Sequence, residues 1–196
     1  FTSFPAHNLV QTFNYPADLM KIRKNVFMHL KNTTYLHYTG AGVYMDRAIG
    51  DYMEDLAGRF YFDKKAEMKV IRNKVLEFMG ADPEIYQCIF VQSATQALKL
   101  VGENFPWQKE SKYLFTKLNH NSVLGIRKYA LNNGADFHAI DSPKDVYKYF
   151  NPQSSAKNLL AFPLEENFAG KKFAPDEIKN ILQNKTLREK WFIFGD

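Results

Sequence analysis

The spacing of apolar positions along this 196-residue chain changes several times, and each change predicts an element. Over residues 17–31, Leu19, Met20, Ile22, Val26, Phe27 and Leu30 recur at helical spacing directly after Pro16. Residues 46–58 and 67–79 carry two more helical patterns, the second closed by Gly80 and Pro83. Short apolar runs predict strands at residues 35–38, 86–91, 112–116, 137–140, 158–162 and from 191 onward. Helices are expected between the later strands, at residues 94–103, 120–132, 143–150 and 175–190. Asn133-Gly134 stops the second of these. The fourth carries Ile178, Ile181, Leu182 and Leu187 on one side.

Strands alternating with helices imply an α/β fold, a mainly parallel sheet sandwiched by helices. Residues 1–16, mixed aromatic and polar with Pro5 and Pro16, are expected to form an arm. Residues 17–196 are expected to form one domain. Ligands in such sheets bind at the C-terminal ends of strands.

Two stretches carry chemistry there. In Phe90-Val91-Gln92-Ser93-Ala94-Thr95-Gln96, a strand runs into a small, hydroxyl-bearing turn that opens a helix. In Asn119-His120-Asn121-Ser122, a second strand exits into a histidine at the mouth of a second helix. Free N–H groups at a helix start suit a phosphate, and a flat side chain from the next loop can cover a ring. Each residue also has a plainer reading. Thr95 fits an ordinary first helical turn, His120 a helix cap, and Asn167 turn chemistry before Gly170.

Composition narrows the function classes. Hydrophobic content of 45% and charged content of 24% are those of a globular protein. Aromatic residues reach 15%, which suggests a well-filled core, an interface, or both. The formal charge of +5 is spread along the chain without a basic run, which argues against a nucleic-acid partner. The single cysteine, Cys88, excludes an internal disulfide framework and a multi-cysteine metal site, and its place in an apolar run predicts core packing. No apolar run is long enough for a membrane-spanning helix. The first residue is Phe1, not methionine, which a cleaved presequence would explain, and leaves cytoplasm and mitochondrion both open.

Four motifs in order resemble the class V aminotransferase family of pyridoxal-phosphate (PLP) enzymes, which includes the cysteine desulfurases. They are Tyr35-Leu36-His37-Tyr38-Thr39-Gly40-Ala41-Gly42; Gln92 to Val101 with Phe105-Pro106-Trp107; Asn119 to Lys128; and Phe162-Pro163-Leu164-Glu165-Glu166-Asn167-Phe168-Ala169-Gly170. Within the family the motifs resemble the molybdenum cofactor sulfurase branch. The resemblance implies part of the large domain of a PLP-dependent transferase of fold type I. It implies that Ala94, Thr95 and Gln96 start the phosphate helix, that His120 stacks on the pyridine ring, and that Asn167 lies near the ring's phenolic oxygen. Asp196 would pair with the pyridine nitrogen.

The chain departs from the family at His37 and Tyr38, where Asp and His are usual. It departs again at Ser93, where glycine is usual, and at Glu165, where the sulfurase branch prefers Gln. The family's Schiff-base lysine falls beyond Asp196, so no catalytic residue is assigned. Two functions remain open. One is part of a PLP-dependent sulfurase or transferase. The other is a non-catalytic accessory subunit of a larger assembly. In either case an open sheet edge predicts a protein partner or a second copy.

Overall fold

The computed structural model describes residues 17–37, 41–59, 63–166, 168–173 and 175–196. The expected arm at 1–16 therefore lies outside the described residues, as do Tyr38, Thr39 and Gly40 of the first motif and Asn167. The chain forms two compact units, Phe1–Cys88 and Ile89–Asp196.

The first unit is helical. It contains α1 (Ala17–Val26), a short 3-10 turn (Met28–Leu30), α2 (Asp46–Gly58) and α3 (Lys64–Phe78). The second helix has the bounds its pattern predicts. The third begins three residues earlier than expected, because the Asp63 carboxylate accepts from the N–H groups of Lys65 and Ala66 and caps the helix there. Asp46 opens α2 and also receives the His29 backbone N–H at 3.2 Å, with His29 Nδ1 2.9 Å away. Tyr44 stacks on that imidazole at 4.2 Å. Among the described residues of this unit only Leu30 and Leu76 are buried.

Residues 35–37, expected to begin a strand, pair with no other strand. Tyr35 instead pins a loop, its hydroxyl donating to the carbonyls of His37 and Ala41. A local hydrogen-bonded turn has replaced a ladder.

The second unit holds the sheet. Its strands are β1 (Lys112–Thr116), β2 (Asp136–Ile140), β3 (Asn158–Phe162) and β4 (Trp191–Gly195), in the order β2-β1-β3-β4 and all parallel. Register is fixed by pairs such as Tyr113 with Leu159 and Leu160 with Ile193. The period-2 alternation sends Tyr113, Phe115, Leu159 and Ala161 to one face and Leu114, Leu160 and Phe162 to the other. The first face packs on α4 (Ala94–Asn104), α5 (Asn121–Leu124) and α6 (Arg127–Asn132) through Leu98, Val123, Ile126 and Ala130. The second packs on α7 (Val146–Tyr149), α8 (Pro175–Gln183) and α9 (Lys185–Arg188) through Val146, Ile181 and Leu187. Both faces are buried, as a parallel sheet requires.

Three helical stretches break where one helix was expected or shorten at their ends. Residues 120–132 divide into α5 and α6 around Gly125 and Ile126. Residues 175–190 divide at Asn184, whose side chain accepts from Leu187 N–H and starts α9. Residues 143–150 form a 3-10 turn and then α7, opened by a capping box between Ser142 and Asp145. Close approach of α4 and α6 depends on Gly102, where an added Cβ would stand 2.6 Å from the Tyr129 ring.

The expected strand at residues 86–91 is the main departure. It joins no ladder, and Ile89, Phe90 and Val91 are exposed. Cys88 within it is half-buried, not in the core. An apolar run states a need for cover, and no described strand supplies it. No helix among the described residues is long and apolar enough to cross a membrane.

Candidate cofactor site

The sheet's strand order reverses between β1 and β3. β2 lies on one side of β1, and β3 and then β4 lie on the other. Loops leaving adjacent strands part company at such a point and open a crevice at their C-terminal ends. The loop after β1 carries Asn119 and His120, and the loop after β3 carries Glu165 and Glu166. A hollow of about 280 Å³ opens at this end of the sheet, lined by Thr116, Lys117, Asp141, Glu166, Lys171 and Phe173. Lys117 and Asp141 form an ion pair of 2.7 Å across its rim.

The start of α4 is built by Ser93. Its backbone is extended (φ −163°, ψ 163°), a conformation open to any residue, so the turn does not require glycine. Its hydroxyl accepts from Gln96 N–H at 3.1 Å. That bond occupies the Gln96 amide in this structure. The amides of Ala94 and Thr95 find no acceptor among the described residues, and they remain available to an anion. The exposed Thr95 hydroxyl lies 2.8 Å from that of Ser122.

His120 caps α5. Its Nδ1 accepts from Ser122 N–H at 3.2 Å, which leaves the ring proton on Nε2 when the imidazole is neutral. Its own N–H donates to Asn119 Oδ1 at 2.9 Å. The cap therefore fixes the ring of an exposed histidine, which is the plainer role read from the sequence. Beneath it, buried Tyr113 donates to the Val123 carbonyl at 2.7 Å and anchors α5 to β1. Burial holds the Tyr113 phenol protonated well above its ordinary range. Arg127 opposes this shift and the charge of Asp196 adds to it.

Asp196 follows β4 and continues its pairing with the chain leaving β3. Its N–H donates to the Phe162 carbonyl at 3.0 Å, and its carbonyl accepts from Leu164 N–H at 2.9 Å. Glu165, the departure from Gln, is 3.2 Å from Lys172 and so carries a countercharge. Glu166 is buried and accepts from the N–H groups of Phe168 and Ala169. Thr95 and His120 thus meet through Ser122, and Asp196 is held at the C-terminal edge of the same sheet. Asn167 lies outside the described residues. Sequence reasoning missed Ser122, although a hydroxyl two residues after a capping histidine was the available signal. The fit to a phosphate-bearing ring is good at the phosphate end, with two unspent amides and a hydroxyl beside a fixed imidazole.

The class-V aminotransferase profile matches residues 55–185, more than half of the chain. The chain belongs to the class-V aminotransferase family. Molybdenum cofactor sulfurase of Solanum lycopersicum is 36% identical over 203 residues, covering 86% of this chain and 25% of the relative. The enzyme of that name from Arabidopsis thaliana is 33% identical, with coverages of 86% and 25%. The Homo sapiens one is 24% identical, with coverages of 92% and 23%. This class-V aminotransferase chain thus spans about a quarter of the length of the curated relatives it matches. Among solved structures, a C-DES mutant with glycine covalently linked to its PLP cofactor superposes with a TM-score of 0.67 at 17% identity. It covers 89% of this chain and 49% of its own. The apo cysteine desulfurase of Thermococcus onnurineus NA1 gives 0.64 at 16% identity, with coverages of 93% and 48%. At these identities the structures establish the fold: the α/β arrangement of about half of a cysteine desulfurase chain, as in PLP enzymes of fold type I.

Proposed function

We propose that this chain forms the phosphate and ring side of a PLP site in a sulfurase-like enzyme of the class-V family. The observation that carries the reading is the junction of Thr95, Ser122 and His120. It places two free amides and a hydroxyl at the start of an eleven-residue helix, beside a fixed imidazole. Ala94 and Thr95 would hold the phosphate. His120 would cover the ring face, with Asn167 near the phenolic oxygen and Asp196 as partner of the pyridine nitrogen. The pyridoxal group, when bound, supplies the electron sink that amino-acid chemistry requires. The molybdenum cofactor sulfurase relatives, which match most of this chain, support the sulfur-transfer part of the reading.

Exposed Ile89, Phe90 and Val91 favour a second reading, an accessory module that works by its surface. One titration separates the two. Pyridoxine 5′-phosphate lacks the aldehyde and so cannot label surface lysines. It is expected to bind the full chain by calorimetry, while unphosphorylated pyridoxine binds at least about 10-fold more weakly. His120→Ala is expected to lower affinity for the phosphorylated compound. Equal weakness of both compounds would leave the accessory reading standing.

A further inference from the structure

We infer that the Ser122 hydroxyl is a positioning residue for the anion at the start of α4, acting through Thr95. The inference rests on the cofactor reading above and adds a residue to it. A threonine hydroxyl has one proton to donate. When Thr95 donates to Ser122, it shows an incoming phosphate only lone pairs. When Ser122 donates to Thr95, the Thr95 proton is released toward the helix start, where the amides of Ala94 and Thr95 already point their partial positive charge. At 2.8 Å between the two oxygens, either direction is available. An anion beside Thr95 favours the second, because that direction turns the Thr95 O–H toward it as a charge-assisted donor beside the two amides. Chained hydroxyls also polarise one another, so Thr95 becomes a better donor with Ser122 behind it.

Ser122 is suited to this by its place. Its backbone N–H is spent on His120 Nδ1, and its neighbour Val123 is buried against the sheet with its carbonyl tied to Tyr113. The residue is held from both ends, and its hydroxyl is the part left to act. One residue thereby joins the helix that would take the phosphate to the loop that would cover the ring. Because the cap uses the backbone, replacing the side chain removes the hydroxyl and leaves His120 in place.

The test is calorimetric titration of the full chain with pyridoxine 5′-phosphate and, separately, inorganic phosphate. Ser122→Ala is expected to weaken both by about 3- to 10-fold, the range one hydrogen bond carries. Ser122→Thr, which keeps a hydroxyl, is expected to stay within about 2-fold of the parent, while Ser122→Val falls with the alanine variant. Thr95→Val is expected to lose more than either, and adding Ser122→Ala to it to cost less than about 2-fold further. A general structural role would not show that loss of effect. Unchanged affinity in Ser122→Ala, with the parent binding both ligands, overturns the inference and leaves the cofactor reading intact. Additive losses in the double variant also overturn it. A parent chain that binds neither ligand overturns the cofactor reading and the inference together.

Discussion

The two units bury their apolar residues very differently. In Ile89–Asp196, β3 is buried along its whole length and two clusters fill the two faces of the sheet. In Phe1–Cys88, α2 has no buried residue at all, and Ile49, Tyr52, Met53 and Leu56 stand exposed on it. The sequences of the two units do not differ in this way, since both carry amphipathic helices. A helix states which face wants cover, and in this protein the two described core clusters both form on the sheet. The same contrast separates β1 from residues 86–91. Both are apolar runs, but only β1 has neighbours in the ladder.

The largest effect that tests this contrast is expected at Leu160, fully buried in β3. Leu160→Ala should cost about 2–5 kcal/mol by urea unfolding. Ile49→Ala, on the exposed side of α2, should stay within about 0.5 kcal/mol. Equal losses at both positions would mean that α2 packs as tightly as the sheet does, and would break the comparison.

A smaller effect concerns Tyr113. Its folded-state pKa is raised, chiefly by burial, so folding keeps the phenol protonated. The contribution is fully present below the unfolded value of about 10 and is lost as pH rises above it, where only the unfolded state sheds its proton. Stability should therefore fall steeply above about pH 10 by chemical denaturation. Tyr113→Phe should flatten that fall. Near neutral pH the same change should cost about 1 kcal/mol, since the Val123 carbonyl loses its donor.

The smallest effect belongs to the first unit. The His29 side chain, by its hydrogen bond, holds the Asp46 carboxyl below its ordinary value. A depressed carboxylate stabilises above the unfolded pKa of about 4, and that help is lost as pH falls through the folded value. Asp46→Asn should slightly lower helix content near neutral pH and abolish part of its acid dependence between about pH 5 and 3. Circular dichroism would show it. No change in the acid profile would mean that the His29 contact does not hold α2.

Much of the sheet was legible because buried parallel strands have a plain signature. Residues 112–116 and 158–162 were expected to the residue, and 191 onward by its first position. Helix existence was legible too, but not the breaks at Gly125 and Asn184, which depend on side-chain caps and on how a short helix meets the sheet. Residues 86–91 misled because apolar pattern records a demand for neighbours and not their presence. At the site, Thr95 was legible as a hydroxyl in the first turn of a helix and His120 as a cap in the loop that leaves β1. The Thr95–Ser122 contact was not, because it joins residues 27 positions apart whose meeting depends on α4 and α5 packing on the same face. The commitment of the Gln96 amide had a signal that went unread, a serine at the helix start three residues before Gln96.

The strand order also bears on how the chain can fold as it is made. β1 and β2 can pair as soon as both exist, and each later strand then adds on the same growing side of the sheet: β3 against β1, then β4 against β3. No strand has to be threaded between two that are already paired. At roughly 5–20 residues per second of synthesis, the waits between β2, β3 and β4 last about a second to several seconds each. An unfinished sheet therefore has one edge awaiting its next strand at each stage, first that of β1 and then that of β3, while the outer edge of β2 gains no described strand. A nascent-chain chaperone acting on this protein would have a moving target whose position at every chain length is set by the order β2-β1-β3-β4.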